Sequence, residues 1–169
     1  MIGLYRGTSI ISRLIQFRTW SPYSHASWIG DNGAEIEAWH KGGVVCHPDW
    51  GHIHTPGTEI DLFEVKMSDL QRSVITDFLR TQLGKKYDFG AILGFLTRCG
   101  KERLGKWFCS ELVFCAFQEA GIDLLCRIEP HKVSPGRLST SPLLTLVDTL
   151  VVPDPNHRSS RPLTDLLML

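Results

Sequence analysis

A chain of 169 residues, 43% of them hydrophobic, can bury one core and is too short for two ordinary domains. Its 18 Lys and Arg balance 18 Asp and Glu with no basic block, so it lacks the electrostatic footprint of a nucleic-acid binder. No segment reaches the length of a membrane span, and Arg6, Arg13 and Arg18 interrupt any signal-like apolar stretch. The expectation is therefore a cytoplasmic protein, or one carried in a virion or secretion assembly.

Thr8 and Ser9 can cap a helix through about Arg18, with Ile10, Ile11, Leu14 and Ile15 on one face. Residues 24 to 30 read as a strand, Asp31-Asn32-Gly33 as a tight turn, and residues 34 to 39 as the partner strand. Gly42-Gly43-Val44-Val45 can open a third strand. From Cys46 to Pro56 the pattern is that of a loop rich in histidine. Glu59 to Val65 reads as a strand, and Ser68 with Gln71 forms a capping box for a helix ended by Gly84. Residues 89 to 97 suggest a short helix and 100 to 106 a charged loop. Cys109 to Ala120 is strongly helical and Gly121 stops it. A last strand is expected near Leu146 to Val152. The domain should occupy residues 1 to 152, followed by a linker and a short apolar tail, Leu163 to Leu169, that packs on its own domain or docks on a partner.

The five cysteines, Cys46, Cys99, Cys109, Cys115 and Cys126, are odd in number and irregularly spaced, which favours a free thiol over a disulfide framework. Cys109 opens a helix, where unpaired N–H groups and the macrodipole favour a thiolate and where its own N–H can face an oxyanion. His25 lies on the first hairpin strand. If the turn centres on Asn32, position 27 faces position 37, so His25 and Glu37 share a face in neighbouring rungs. Glu37 can then hold one imidazole nitrogen while the other takes a proton from Cys109. Glu35 is a weaker candidate, one rung further out. This is how a papain-like thiol hydrolase assembles its nucleophile and base, here with the histidine first. Cys46, His47, Asp49, His52 and His54 fit no standard zinc spacing, so neither a metal nor another cofactor is expected. Trp39, Trp50 and Trp107 can line a cleft, although packing is the commoner use of such residues.

Several short motifs then stand in a telling order. They are Ser24-His25-Ala26, Glu37-Ala38, Gly84-Lys85-Lys86-Tyr87-Asp88, Cys109-Ser110-Glu111-Leu112-Val113 and Ser134-Pro135 with Ser141-Pro142. Together they resemble the circularly permuted branch of the NlpC-type cysteine peptidases, over roughly residues 3 to 150. The resemblance implies an α+β, permuted papain-like fold whose antiparallel sheet packs against a nucleophile-bearing helix. It implies Cys109 as nucleophile, His25 as base, Glu37 as orienting group and the Tyr87 hydroxyl as an aid to the oxyanion. It also implies a peptide or amide substrate of the cell wall, such as a peptidoglycan stem peptide. Two other expectations stand beside it: a lipid-directed esterase or acyltransferase, marked by an apolar cleft mouth and a membrane-binding face, and a non-catalytic adaptor.

Overall fold

The structure, a computed structural model, describes residues 1–51, 53–90 and 105–154. In chain order the elements are β1 (Ile2–Arg6), α1 (Ile10–Thr19), β2 (His25–Ile29), β3 (Glu35–Trp39), β4 (Gly43–His47), β5 (Glu59–Glu64), α2 (Asp69–Thr81), β6 (Lys86–Tyr87), β7 (Lys106–Trp107), α3 (Cys109–Glu119), a 3-10 turn (Pro130–Lys132), α4 (Pro135–Leu138) and β8 (Thr145–Val151). Six strands form one antiparallel sheet in the order β4-β3-β2-β1-β5-β8, and β6 and β7 form a small parallel pair. The fold is mixed α+β. The expected helix at 89 to 97 and the C-terminal tail fall largely or wholly outside the described residues. No helix among the described residues is long and apolar enough to cross a membrane.

The alternation of the strands divides the sheet into two chemically different faces. Ile2, Leu4, Ala26, Trp28, Ile36 and Ala38 point into the main core with α2 and α3, where the Trp28 and Phe117 rings meet edge to face at 5.7 Å. The intervening positions of β1, β2 and β3 carry Tyr5, His25, Ser27, Glu35 and Glu37, all buried. Trp28 pairs with Ile36 and Ile29 with Glu35, a register that sets Ser27 opposite Glu37. Helix α3 packs across β2 and β3, the two strands that carry His25 and Glu37.

Two local features add to the sequence reading. Helix α1 is capped by Ser9 as expected, but of its apolar residues only Ile15 is buried. The inward side is held instead by Gln16, whose amide donates to Gly7 O at 3.0 Å and Pro22 O at 2.8 Å. Those two bonds fix the helix across both ends of its own loop, and Ile10, Leu14 and Phe17 turn outward. The second feature is Gly43, which has φ +76° and touches the chain before β6. A Cβ there would lie 2.0 Å from Lys85 O, so no side chain fits. That approach lets Val44 exchange hydrogen bonds with Lys85 and Gly84 and ties the segment bearing Tyr87 to β4.

A buried carboxylate locks the middle of the sheet. Asp61 in β5 accepts from Arg6 of β1, from the Tyr23 hydroxyl, and from the Thr149 hydroxyl of β8 at 2.7 Å. Arg6 also binds Glu59 at 2.5 Å. Replacing Asp61 by Ala leaves the buried Tyr23 hydroxyl without its acceptor, while the more exposed Arg6 and Thr149 can turn to water, and should lower unfolding free energy by about 2 kcal/mol in urea denaturation. Asp61→Asn, which keeps one accepting oxygen, should cost less than half of that.

Candidate active site

Cys109 and His25 are each the first residue of their element, α3 and β2 respectively. The helix begins where it does because Phe108 is still extended while Glu111 reaches back, 3.4 Å from the Phe108 N–H. The next side chain, Ser110, donates to Val133 O at 2.6 Å and pins the helix start to the chain before α4. His25 is opposite Tyr5 of β1, whose ring meets it edge-on at 5.2 Å. Trp39 meets it edge-on from the other side at 5.4 Å.

The structure brings Cys109, His25 and Glu37 together. His25 Nε2 is hydrogen-bonded to Glu37 Oε2, and Cys109 is near enough to act on the charge of the His25 ring. With Nε2 engaged by the carboxylate, Nδ1 is the nitrogen left for the thiol. Burial acts against a charged His25, but the negative charges of Cys109 and Glu37 and their hydrogen bonds outweigh it and raise the imidazole to about 10. Glu37 is fully enclosed. Burial would raise its carboxyl, yet the charge and hydrogen bond of His25, and then His54, hold it down to about 2.

Tyr87, on β6, is buried with its ring 5.9 Å from Phe108. Burial, then the charges of Cys109, Asp88 and Glu37, push its hydroxyl well above its ordinary value, so it keeps its proton as a donor. Glu35 has a different place. It accepts from the Tyr5 hydroxyl and from Gly51 N–H at 2.9 Å, which anchors the loop after β4. Cys46 is exposed, Trp50 packs against the cluster of Tyr5, Ile29 and Ile60, and the Trp107 indole donates to Gln82 at 3.1 Å. Of the three tryptophans singled out, Trp39 lines the cleft. His52 lies outside the described residues.

One residue at the site escaped the sequence reading as a member of this cluster. His54 stacks on Tyr5 at 4.2 Å and places Nε2 3.5 Å from Glu37 Oε2 and 3.9 Å from Glu35 Oε1. One ligand atom each from His25, Glu37 and His54 falls within 4.8 Å of the others, all three residues buried. Glu37 Oε1, His47 Nε2 and His54 Nε2 are enclosed without a well-formed hydrogen bond, and His47 Nε2 lies 3.9 Å from Glu37 Oε1. Imidazole and carboxylate ligands about 2.1 Å from a tetrahedral ion stand roughly 3.4 Å apart, so this donor set fits zinc in type, and the His54–Glu37 separation of 3.5 Å also fits in spacing, while His25 and Glu37 would have to part to admit an ion. The only sequence signal was a histidine-rich loop, whose irregular spacing hid which member folds inward.

A cleft of about 900 Å³ opens onto His25 and His54, lined also by Ile10, Ile11, Trp39 and Lys41. Cys109 itself is fully enclosed, so a substrate must displace side chains between the cleft and the sulfur.

No family model matches the chain, and no curated protein matches it. Among solved structures it is similar to the metalloprotein yiiX from Escherichia coli O157:H7, described as DUF1105. The TM-score is 0.66 at 22% identity, covering 89% of this chain and 96% of that one. At this identity the likeness shows a shared fold. It also corrects the resemblance drawn from the short motifs, because the neighbour is a metalloprotein of a family other than the NlpC-type peptidases. Motifs of three to five residues record a local need for a helix start or a strand, and chains of different families meet such needs alike.

The shifted groups give a pH signature. Unfolded histidine titrates near 6.5, so stabilisation by protonated His25 is full below about 6.5 and fades as pH rises through about 10. The Glu37 contribution is full above about 4.5 and is lost as pH falls through about 2. Calorimetric melting temperature should therefore decline on the alkaline side. In Glu37→Gln, which removes one of the charges that raise His25, that decline should begin at lower pH.

Proposed function

We propose that the chain is a cysteine hydrolase that cleaves an acyl bond through a thioacyl-enzyme. The observation that carries this reading is His25 hydrogen-bonded to the Glu37 carboxylate, with Cys109 near enough to raise its imidazole. The Cys109 sulfur attacks a carbonyl carbon as a thiolate, and the carbonyl π electrons move to oxygen. His25, protonated, gives its proton to the leaving amine or alcohol as the tetrahedral species collapses. His25 then takes a proton from water, which attacks the thioester and releases the acid and the thiolate. Glu37 fixes the ring orientation and stabilises the imidazolium. The Cys109 N–H at the start of α3 and the Tyr87 hydroxyl are the donors for the oxyanion in this reading. The arrangement proposed is papain-like with the histidine before the cysteine. A peptide amide, such as that of a cell-wall stem, is one substrate class, and an acyl ester is the other.

A second reading is favoured by the His25, Glu37 and His54 cluster and by the similar structure being that of a metalloprotein. These three residues would hold a divalent ion such as zinc, which would supply Lewis-acid polarisation of a carbonyl. The two readings exclude each other at one moment of time, since His25 cannot be both a metal ligand and the base for Cys109.

Three measurements separate them. Under the thiol reading, Cys109→Ala, with a melting temperature near wild type, and His25→Ala, with a lowered one because Glu37 loses its counter-charge, each abolish release of fragments from purified peptidoglycan or of product from a model acyl ester, by at least about 1000-fold. Glu37→Gln loses less. Cys109 also reacts with a thiol-directed probe faster than the exposed Cys46 and Cys126, despite its enclosure. Under the metal reading, Cys109→Ala keeps activity, while a chelator or His54→Ala removes it.

A further inference from the structure

Three histidine rings turn their Nε2 atoms toward one carboxylate. His25 Nε2 is hydrogen-bonded to Glu37 Oε2, His54 Nε2 stands 3.5 Å from the same oxygen, and His47 Nε2 stands 3.9 Å from Glu37 Oε1. The first contact is closed. The other two are longer than well-formed hydrogen bonds. Glu37 Oε1, His47 Nε2 and His54 Nε2 are therefore buried ligand atoms that no hydrogen bond joins. Glu37 is fully enclosed, and the His54 side chain is 5% exposed. Buried polar atoms left side by side in this way are costly unless something bridges them.

Two ligands each about 2.1 Å from one ion stand 3.5 Å apart when they subtend roughly 110° at it, and 3.9 Å apart at roughly 135°. Two imidazoles and a carboxylate are a donor set of borderline divalent cations such as zinc. His25 is the poorer third ligand, because an ion placed there must break its hydrogen bond to Glu37. His47 has no such bond to lose. It ends β4 opposite Glu35 of β3, and the alternation of the strands puts it on the face of Glu35 and Glu37. The donors already close to one another are His25, Glu37 and His54, so His47 is the ring that swings inward, and its side chain is 23% exposed and free to turn. His54 is held more firmly. It stacks on Tyr5, its N–H donates to Gly51 O at 3.2 Å, and Gly51 N–H is fixed by Glu35.

We propose that Glu37, His47 and His54 form a binding site for a zinc-like divalent cation, with His25 left on Glu37 and beside Cys109. This rests on the metal of the second reading above and changes its third ligand, His47 taking the place of His25. Glu37 can serve both sides at once, since a carboxylate has about four lone-pair sites. The ion then fastens the loop after β4 to the sheet without competing for the base of the thiol reaction. His54 lines the cleft, which gives the ion its path of entry.

The test measures metal rather than turnover. It uses the full chain carrying Cys46→Ser, which removes the exposed thiol next to His47 in the sequence. The chain is stripped with a chelator, and zinc is titrated back against a chromophoric competitor while melting temperature is followed. We expect one zinc per chain and a melting temperature that rises with it. Affinity should fall at least about 100-fold in His47→Ala and in His54→Ala. It should stay within about threefold in His25→Gln, whose amide can still donate to Glu37. Metal-free His47→Ala should melt with the metal-free parent, which separates loss of zinc from loss of fold. Zinc lost in His25→Gln overturns the proposal and returns the ion to His25, Glu37 and His54. Zinc retained in His47→Ala overturns it as well. Binding that is weak, multiple or equal in all variants is an adventitious ion only, and overturns both metal sites. The assignment of Cys109 as nucleophile stands or falls separately, because no outcome here depends on hydrolysis.

Discussion

Glu37 is a carboxylate with no access to water, set in the middle of a hydrogen-bonded strand, and the site is organised around that fact. An ion so enclosed is tolerated only where opposite charge and hydrogen bonds surround it. His25 supplies both, and His47 approaches from the end of β4 and His54 from the loop beyond it. Remove the carboxylate and His25 loses one of the charges that keep it protonated. Remove His25 and a buried charge is left with poorly aligned neighbours. The charge state of His25 and the local stability are therefore one electrostatic unit, which is why a change at Glu37 should be read in both.

The same cluster explains why two chemistries compete for one place. A histidine between a thiol and a carboxylate is a proton carrier, whereas a histidine and a carboxylate beside a second histidine are metal ligands. Both descriptions use His25 and Glu37, and they part at Cys109 and His54. The enclosed sulfur makes the distinction sharper, since access to Cys109 needs side chains to move while the cleft already reaches His54.

Much of the frame was legible in the sequence for a simple reason. A tight Asp-Asn-Gly turn fixes hairpin register, and register fixes which side chains share a face, so the adjacency of His25 and Glu37 followed from spacing alone. The helix opened by Cys109 was legible from its apolar periodicity and Gly121. What could not be read was direction. A stripe of Ile10, Leu14 and Phe17 announces an amphipathic helix but not which way it turns, and Gln16 decided that through two bonds to distant backbone. His54 was hidden because loop spacing carries no geometry. The two-residue strands β6 and β7 are too short to leave a pattern. The family resemblance misled because each of its motifs encodes a local fold requirement rather than an ancestry.

The two-faced sheet has a consequence for how this protein tolerates error. On β2 and β3 the greasy residues and the site residues alternate one for one, so a slip of one position would send Trp28 and Ile36 to the polar side and drive Glu37 into the apolar core. Misfolded pairings of this hairpin are thus penalised twice, by hydrocarbon left wet and by a charge left dry. Chains that reach the compact state carry the site in its correct register as a by-product of hiding their oil. The folding reaction thus also checks the placement of His25 and Glu37.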